Sequence, residues 1–161
     1  MAIRNNNLGG TDIAFEETNF ASDDFNDTIN AVASLFYADN TGGSIDNSTT
    51  ETDLATVTIT QNDIGDNGII SISSGLYSVS GNASGGTGTF RLYVDGTLKD
   101  TVVLQGVTGT GTVSGTSINF VETGVDTTGG NVIVKITGQN QNAGSGNSCT
   151  VNNLVVTAYE R

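Results

Sequence analysis

Between residues 54 and 158 apolar side chains return at every second position, in short runs parted by Gly, Asn and Asp, and the chain has no proline. A period of two is that of a β-strand, whose side chains point alternately to opposite faces. Val57 and Ile59 share a face within LATVTIT, Ile70 and Ile72 within GIISIS, and Val132, Val134 and Ile136 within NVIVKIT. With no proline to set turns, reversals fall to the residues that reach positive φ most readily. The clearest local unit is TFRLYVDGTLKDTVVLQ, residues 89–105. Phe90, Leu92 and Val94 point one way, Arg91 and Tyr93 the other, and Asp95-Gly96 is a tight-turn pair. Further strands are expected around Tyr77 and Val79 and over 110–114, 117–122, 131–137 and 149–158, the last with an irregularity at Asn152-Asn153. About eight short antiparallel strands without helical crossovers predict a mainly β fold: an antiparallel two-sheet sandwich, either a jelly roll or another sandwich, with the jelly roll preferred.

The first nineteen residues carry no period and read as an extended arm. Next, Ser22 or Asp23 can cap free amide protons, and Phe25, Ile29, Val32 and Phe36 recur at three- or four-residue spacing. This predicts one short helix over 23–37. Its apolar stripe is a candidate assembly face, docked either on its own β domain or on other subunits, because a helix of about four turns is marginal alone. Residues 40–53 read as a polar link. The expected division is therefore an arm and helix over 1–45 for anchoring or oligomerisation, and a β-sandwich domain over 50–161.

The net charge of −12 is concentrated at the front, where residues 1–53 hold ten of the seventeen carboxylates against Arg4 alone. Such a chain repels phosphate backbones and anionic bilayers. No run reaches transmembrane length. Neither nucleic acid nor membrane insertion is expected. There is no histidine, so the usual neutral-pH base and most zinc sites are missing. Cys149 is the sole cysteine and is expected to pack as a small hydrophobe. The carboxylate pairs Glu122 with Asp126, Asp95 with Asp100, and Asp63 with Asp66 sit beside expected turns, where Asp is common for local hydrogen bonding. Asp63-x-x-Asp66 and the group Asp23, Asp24 and Asp27 offer calcium-type oxygens without EF-hand spacing. The expectation is no enzyme, no catalytic residue and no cofactor, with calcium a weak alternative. Carbohydrate binding would call on aromatic platforms. With no Trp present, Tyr77, Tyr93 and Tyr159 are the candidates.

The segment Ala21-Ser22-Asp23-Asp24-Phe25-Asn26-Asp27-Thr28-Ile29-Asn30-Ala31-Val32 resembles the openings of many phage tail, fibre and related virion proteins. Asp24 is an addition to that pattern, and Ile29 stands in its aromatic position. The ending GQNQNAGSGNSCTVNNLVVTAYE, residues 138–160, is similar to the closing loop and strand of jelly-roll domains in virion appendages and carbohydrate-binding modules. Asn152 replaces the acidic residue usual there, which weakens a carried-over metal site. The resemblance implies a non-enzymatic virion structural protein, a tail or fibre component or a capsid decoration. It would assemble with itself, as a homotrimer in the pattern of such appendages, and with other virion proteins. The alternative is a carbohydrate-binding module that recognises host-surface glycans.

Overall fold

The structure is a computed structural model describing residues 3–5, 13–15, 34–75, 77–81, 87–105, 111–115, 117–142 and 146–159. The chain divides into two compact units, Met1–Ala33 and Ser34–Arg161. In the first, β1 (Ile3–Asn5) pairs antiparallel with β2 (Ile13–Phe15), with Ile3 opposite Phe15 and Asn5 opposite Ile13. Within the expected arm the two described segments are extended, and they pair with each other.

The predicted helix is corrected where it can be seen. Residues 23–33, with Phe25, Ile29 and Val32, lie outside the described residues. Ser34–Asp39 forms strand β3, and there is no helix among the described residues. The reason is periodic. Leu35 and Tyr37 pack against the core while Phe36 and Ala38 face out, an alternation the three-and-four reading had absorbed into a stripe. Pairing with β14 then satisfies the backbone of a segment too short to hold helix by itself.

The second unit is built from antiparallel strands. One sheet has the order β5 (Thr52–Ile59), β12 (Val132–Asn140), β8 (Thr87–Val94), β9 (Thr97–Gln105). A second has the order β11 (Asn119–Val125), β6 (Gly68–Ser74), β14 (Leu154–Tyr159), β3. A third has the order β10 (Gly111–Ser114), β7 (Tyr77–Gly81), β13 (Ser148–Val151), β4 (Gly43–Asp46). The last two follow the same path. Each member of one continues into the matching member of the other after a break of two to four residues, at 40–42, 75–76, 115–118 and 152–153. The expected two sheets are therefore three by hydrogen bonding, because four long strands break along a common crease. The irregularity expected at Asn152-Asn153 is one of those breaks. Backbone bonds tie the crease across the layer: Ser74 N–H donates to the Ile118 carbonyl at 3.1 Å and Gly75 N–H to the Asn153 carbonyl at 2.9 Å.

One buried core joins all three sheets, with Ile59, Phe90, Leu92, Val134 and Ile136 from the first meeting Ile70, Ile72, Leu154, Val79 and Cys149 from the others. The alternation read from sequence decides which side chains enter it. At β5 the alternation slips: Ile136 opposes Ala55 and Thr137 opposes Asp53, so Leu54 is an extra residue and both Leu54 and Ala55 turn inward. The Asp95-Gly96 turn is as expected, with φ of 47° and 74° at its two residues.

Candidate functional site

Strand parity places the polar partners of the core residues on the outer face of the β5-β12-β8-β9 sheet. Tyr93 lies opposite Lys135, Arg91 opposite Thr137, and Thr89 opposite Gln139. Directly opposed residues share a face. Glu51, just ahead of β5, reaches over this face. Its Oε1 accepts from the Thr137 hydroxyl at 2.6 Å and from the Tyr93 phenol at 2.9 Å. Its Oε2 accepts from Arg91 Nη1 at 3.0 Å. Arg91 Nη1 also donates to Gln139 Oε1 at 3.1 Å, and Gln139 Nε2 donates to the Thr49 carbonyl at 2.9 Å. Lys135 Nζ sits 2.9 Å from Asp53 Oδ1 and 5.8 Å from the Tyr93 ring centre. The Thr137 hydroxyl first, then Tyr93, Arg91 and Lys135, hold the Glu51 carboxyl below its ordinary range against a smaller opposing effect of burial. The same hydrogen bond pushes the Tyr93 phenol upward. A carboxylate held in its ionised form by three donors is arranged to brace strands rather than to accept a proton near neutral pH.

At one end of this face lies a cleft of about 460 Å3, lined by Thr49, Thr87, Thr89, Gln105, Gln139, Asn140 and Gln141. Asn140, among these lining residues, is buried. Its Nδ2 donates to the Ile45 carbonyl at 3.3 Å, and its Oδ1 accepts from the Cys149 thiol. Burial pushes that thiol up to about 11. The hydroxyls of Thr87 and Thr89 and the amides of Gln105 and Gln141 face the cleft without a protein partner among the described residues.

The outer face of the β11-β6-β14-β3 sheet is different. Register aligns Val121, Ser71, Thr157 and Phe36 in one row, Asn119, Ser73, Val155 and Ala38 in the next, and Thr123, Ile69, Tyr159 and Ser34 in a third. None of the twelve is Asp, Glu, Lys or Arg. Phe36 is 68% exposed, Val121 60% and Tyr159 43%.

Of the tyrosines singled out from sequence, the two whose side chains are described stand on different sheets. Tyr93 is pinned between Glu51 and Lys135, Tyr159 stands on a different sheet, and the side chain of Tyr77 on β7 lies outside the described residues. Of the stripe Phe25, Ile29, Val32 and Phe36, only Phe36 is described, on a strand instead of a helix. Three members of the carboxylate pairs already have protein partners. Asp126 accepts from Thr128 N at 2.8 Å and Oγ1 at 2.7 Å, Glu122 holds Lys99 at 3.0 Å, and Asp63 accepts from the Tyr37 phenol. Among the described residues no three of His, Cys, Asp and Glu are placed to hold a metal, and no helix is long and apolar enough to cross a membrane. Sequence reasoning missed both Glu51 and the cleft. The signal for the first was that Arg91 and Lys135, two of five cations, fall on the outward parity. The signal for the second was the amide run Gln139-Asn140-Gln141 at a strand end.

No protein-family model matches the chain, and no curated protein matches it. Among solved structures it is similar to a chain of infectious bursal disease virus, Gx strain, with a TM-score of 0.47 and 13% identity over 80% of this chain and 32% of that one. It is similar to the tripod (BppUct-A-L) from the baseplate of bacteriophage Tuc2009, with a TM-score of 0.45 and 16% identity over 99% of this chain and 79% of that one. It is also similar to the CBM36-1 domain of a multidomain xylanase from the hindgut metagenome of Trinervitermes trinervoides, with a TM-score of 0.36 and 14% identity over 77% of this chain and 96% of that one. The chain thus spans about a third of the length of the bursal virus chain it matches.

Proposed function

We propose that this chain is a non-catalytic structural protein of a phage particle, a tail or fibre component or a capsid decoration. In this reading its eight antiparallel segments form a jelly roll that assembles with further copies of itself. The observation that carries it is the uncharged outer face of the β11-β6-β14-β3 sheet. In a chain of net charge −12, copies repel one another at most approaches. A face without carboxylates, exposing Phe36, Val121 and Tyr159 among Ser and Thr, is where they can meet, and such a patch is characteristic of interaction surfaces. The resemblance of residues 21–32 to virion-protein openings points the same way. The particle is then its location, and other virion proteins are its further partners. The test is the solution mass of the full chain beside Val121→Glu and Phe36→Glu. The wild type is expected as an oligomer, a trimer by analogy with appendages, and both variants as monomers with an unchanged β-sheet circular-dichroism spectrum and a midpoint lower only by the lost association. A wild type that stays monomeric at high concentration rules the assembly out. A second reading, a carbohydrate-binding module recognising a host surface, is favoured by the polar cleft beside Gln139.

A further inference from the structure

The cleft has features that the strand scaffold does not require. Two of its lining residues are already satisfied internally, Asn140 on the Ile45 carbonyl and Gln139 between Arg91 and the Thr49 carbonyl. Its rim presents polar groups that nothing in the described protein uses: the Thr87 and Thr89 hydroxyls and the Gln105 and Gln141 amides. Thr87 is directly opposite Gln105, and Thr89 is opposite Gln139 on one side and Val103 on the other. Side chains two apart on a strand stand about 6.6 Å from one another, so Thr87 and Thr89 together span roughly one pyranose ring. Val103, 56% exposed beside Thr89, supplies an apolar contact for the C–H face of such a ring. The volume of about 460 Å3 lies within the range of about 300–1,000 Å3 usual for small-molecule sites.

The lining also decides the charge of the ligand. None of the seven residues is ionisable. Arg91, the cation that touches the lining residue Gln139, is also bound to Glu51 and so is not free to receive an acid. The net charge of −12 on the chain as a whole disfavours uronic and sialic acids. Amides and hydroxyls that can each donate and accept suit a neutral polyol.

We infer that this cleft binds a neutral oligosaccharide through Thr87, Thr89, Gln105 and Gln141, with Val103 beneath a sugar ring. The inference deepens the carbohydrate-binding reading and is independent of the assembly face. It also moves the sugar site away from the tyrosines, since Tyr93 is committed to Glu51.

The experiment is amide-shift titration of the full isotope-labelled chain with neutral trisaccharides (maltotriose, cellotriose and chitotriose) and with anionic ones (trigalacturonate and sialyllactose). At least one neutral probe is expected to shift the amides of residues 87, 89, 105 and 141. Thr89→Val and Gln105→Ala are expected to weaken that binding by at least about tenfold, the loss of one to two ligand hydrogen bonds, with the thermal midpoint unchanged. Tyr93→Phe is expected to bind as the wild type does. The titration is repeated on Val121→Glu to separate this site from assembly, and persistence of binding there supports the proposal. Four results overturn it: no shift with any neutral probe at tens of millimolar, equal or stronger response to the anionic sugars, wild-type binding by Thr89→Val and Gln105→Ala, or loss of binding in Val121→Glu.

Discussion

Glu51 stands just ahead of β5 and yet braces two other strands of its sheet, because one carboxylate has enough lone pairs for Thr137, Tyr93 and Arg91 at once. Glu51→Gln keeps the shape and loses the charge. Hydrogen bonds to an ionised group contribute about 1.5–3 kcal/mol, and with a third of the side chain exposed solvent screening reduces this, so the expected loss is about 1 kcal/mol. Its pH dependence has a definite sign. The folded carboxyl lies below its ordinary range, so the unfolded chain binds more protons there, and the stabilisation is present above the unfolded pKa and lost as pH falls through the folded one. Urea melts from about pH 7 to about pH 3 should show the wild type and Glu51→Gln converging as the solution turns acidic, and parallel curves would contradict the bracing role. Asp39, lowered first by the Thr41 hydroxyl, adds a contribution of the same sign. Cys149 is the opposite case, fully buried and pushed up to about 11. It should react with a thiol reagent at neutral pH only at the rate of opening, so labelling across a urea series should follow unfolding.

The crease is the feature that shapes the strands. At its β3–β4 break Gly42 has φ of 56°, and a Cβ there would lie 2.1 Å from the Val151 carbonyl oxygen. Gly96, in the tight turn, has φ of 74° and open space around it. The two glycines separate conformation from crowding. Gly96→Ala should lower stability by only about 1–2 kcal/mol, the left-handed penalty alone. Gly42→Ala should lower it by at least about 3 kcal/mol, because backbone on two strands must move as well. Denaturant midpoints measure both, and equal losses would mean the crease is slack. The hairpin over 89–105 was legible because its turn pair and its alternation are neighbours in sequence. The strand Ser34–Asp39 was not, because its burial pattern exists only once β14 lies beside it. A run such as Val32 to Phe36 satisfies a helical and a pleated pattern equally well until a partner is present.

For the whole molecule, charge and shape divide the work between opposite layers. One outer face carries the Arg91–Glu51 and Lys135–Asp53 ion pairs and the cleft, while the twelve described residues aligned on the other include no carboxylate or cation. If the neutral face joins copies of net charge −12, their remaining surfaces still repel, and salt should relieve that. Raising ionic strength from about 0.01 M to about 0.15 M shortens the screening length from about 30 Å to about 8 Å. Sedimentation equilibrium should accordingly show tighter association at the higher salt, and weakening there would point to ion pairs as the glue instead. The sequence by itself determined the β character of residues 54–158, the Asp95-Gly96 reversal and the face on which Phe90, Leu92, Val134 and Ile136 lie. Those are consequences of a two-residue period and of local backbone preference, both written within a few positions. Only the tertiary structure decided that four strands break along one line, that Glu51 meets Thr137 across 86 positions, and that Thr49, Thr89, Gln105 and Gln141 surround one cleft. Pairing partners and register bring those groups together, and they depend on contacts between residues far apart in the chain, which no local pattern encodes.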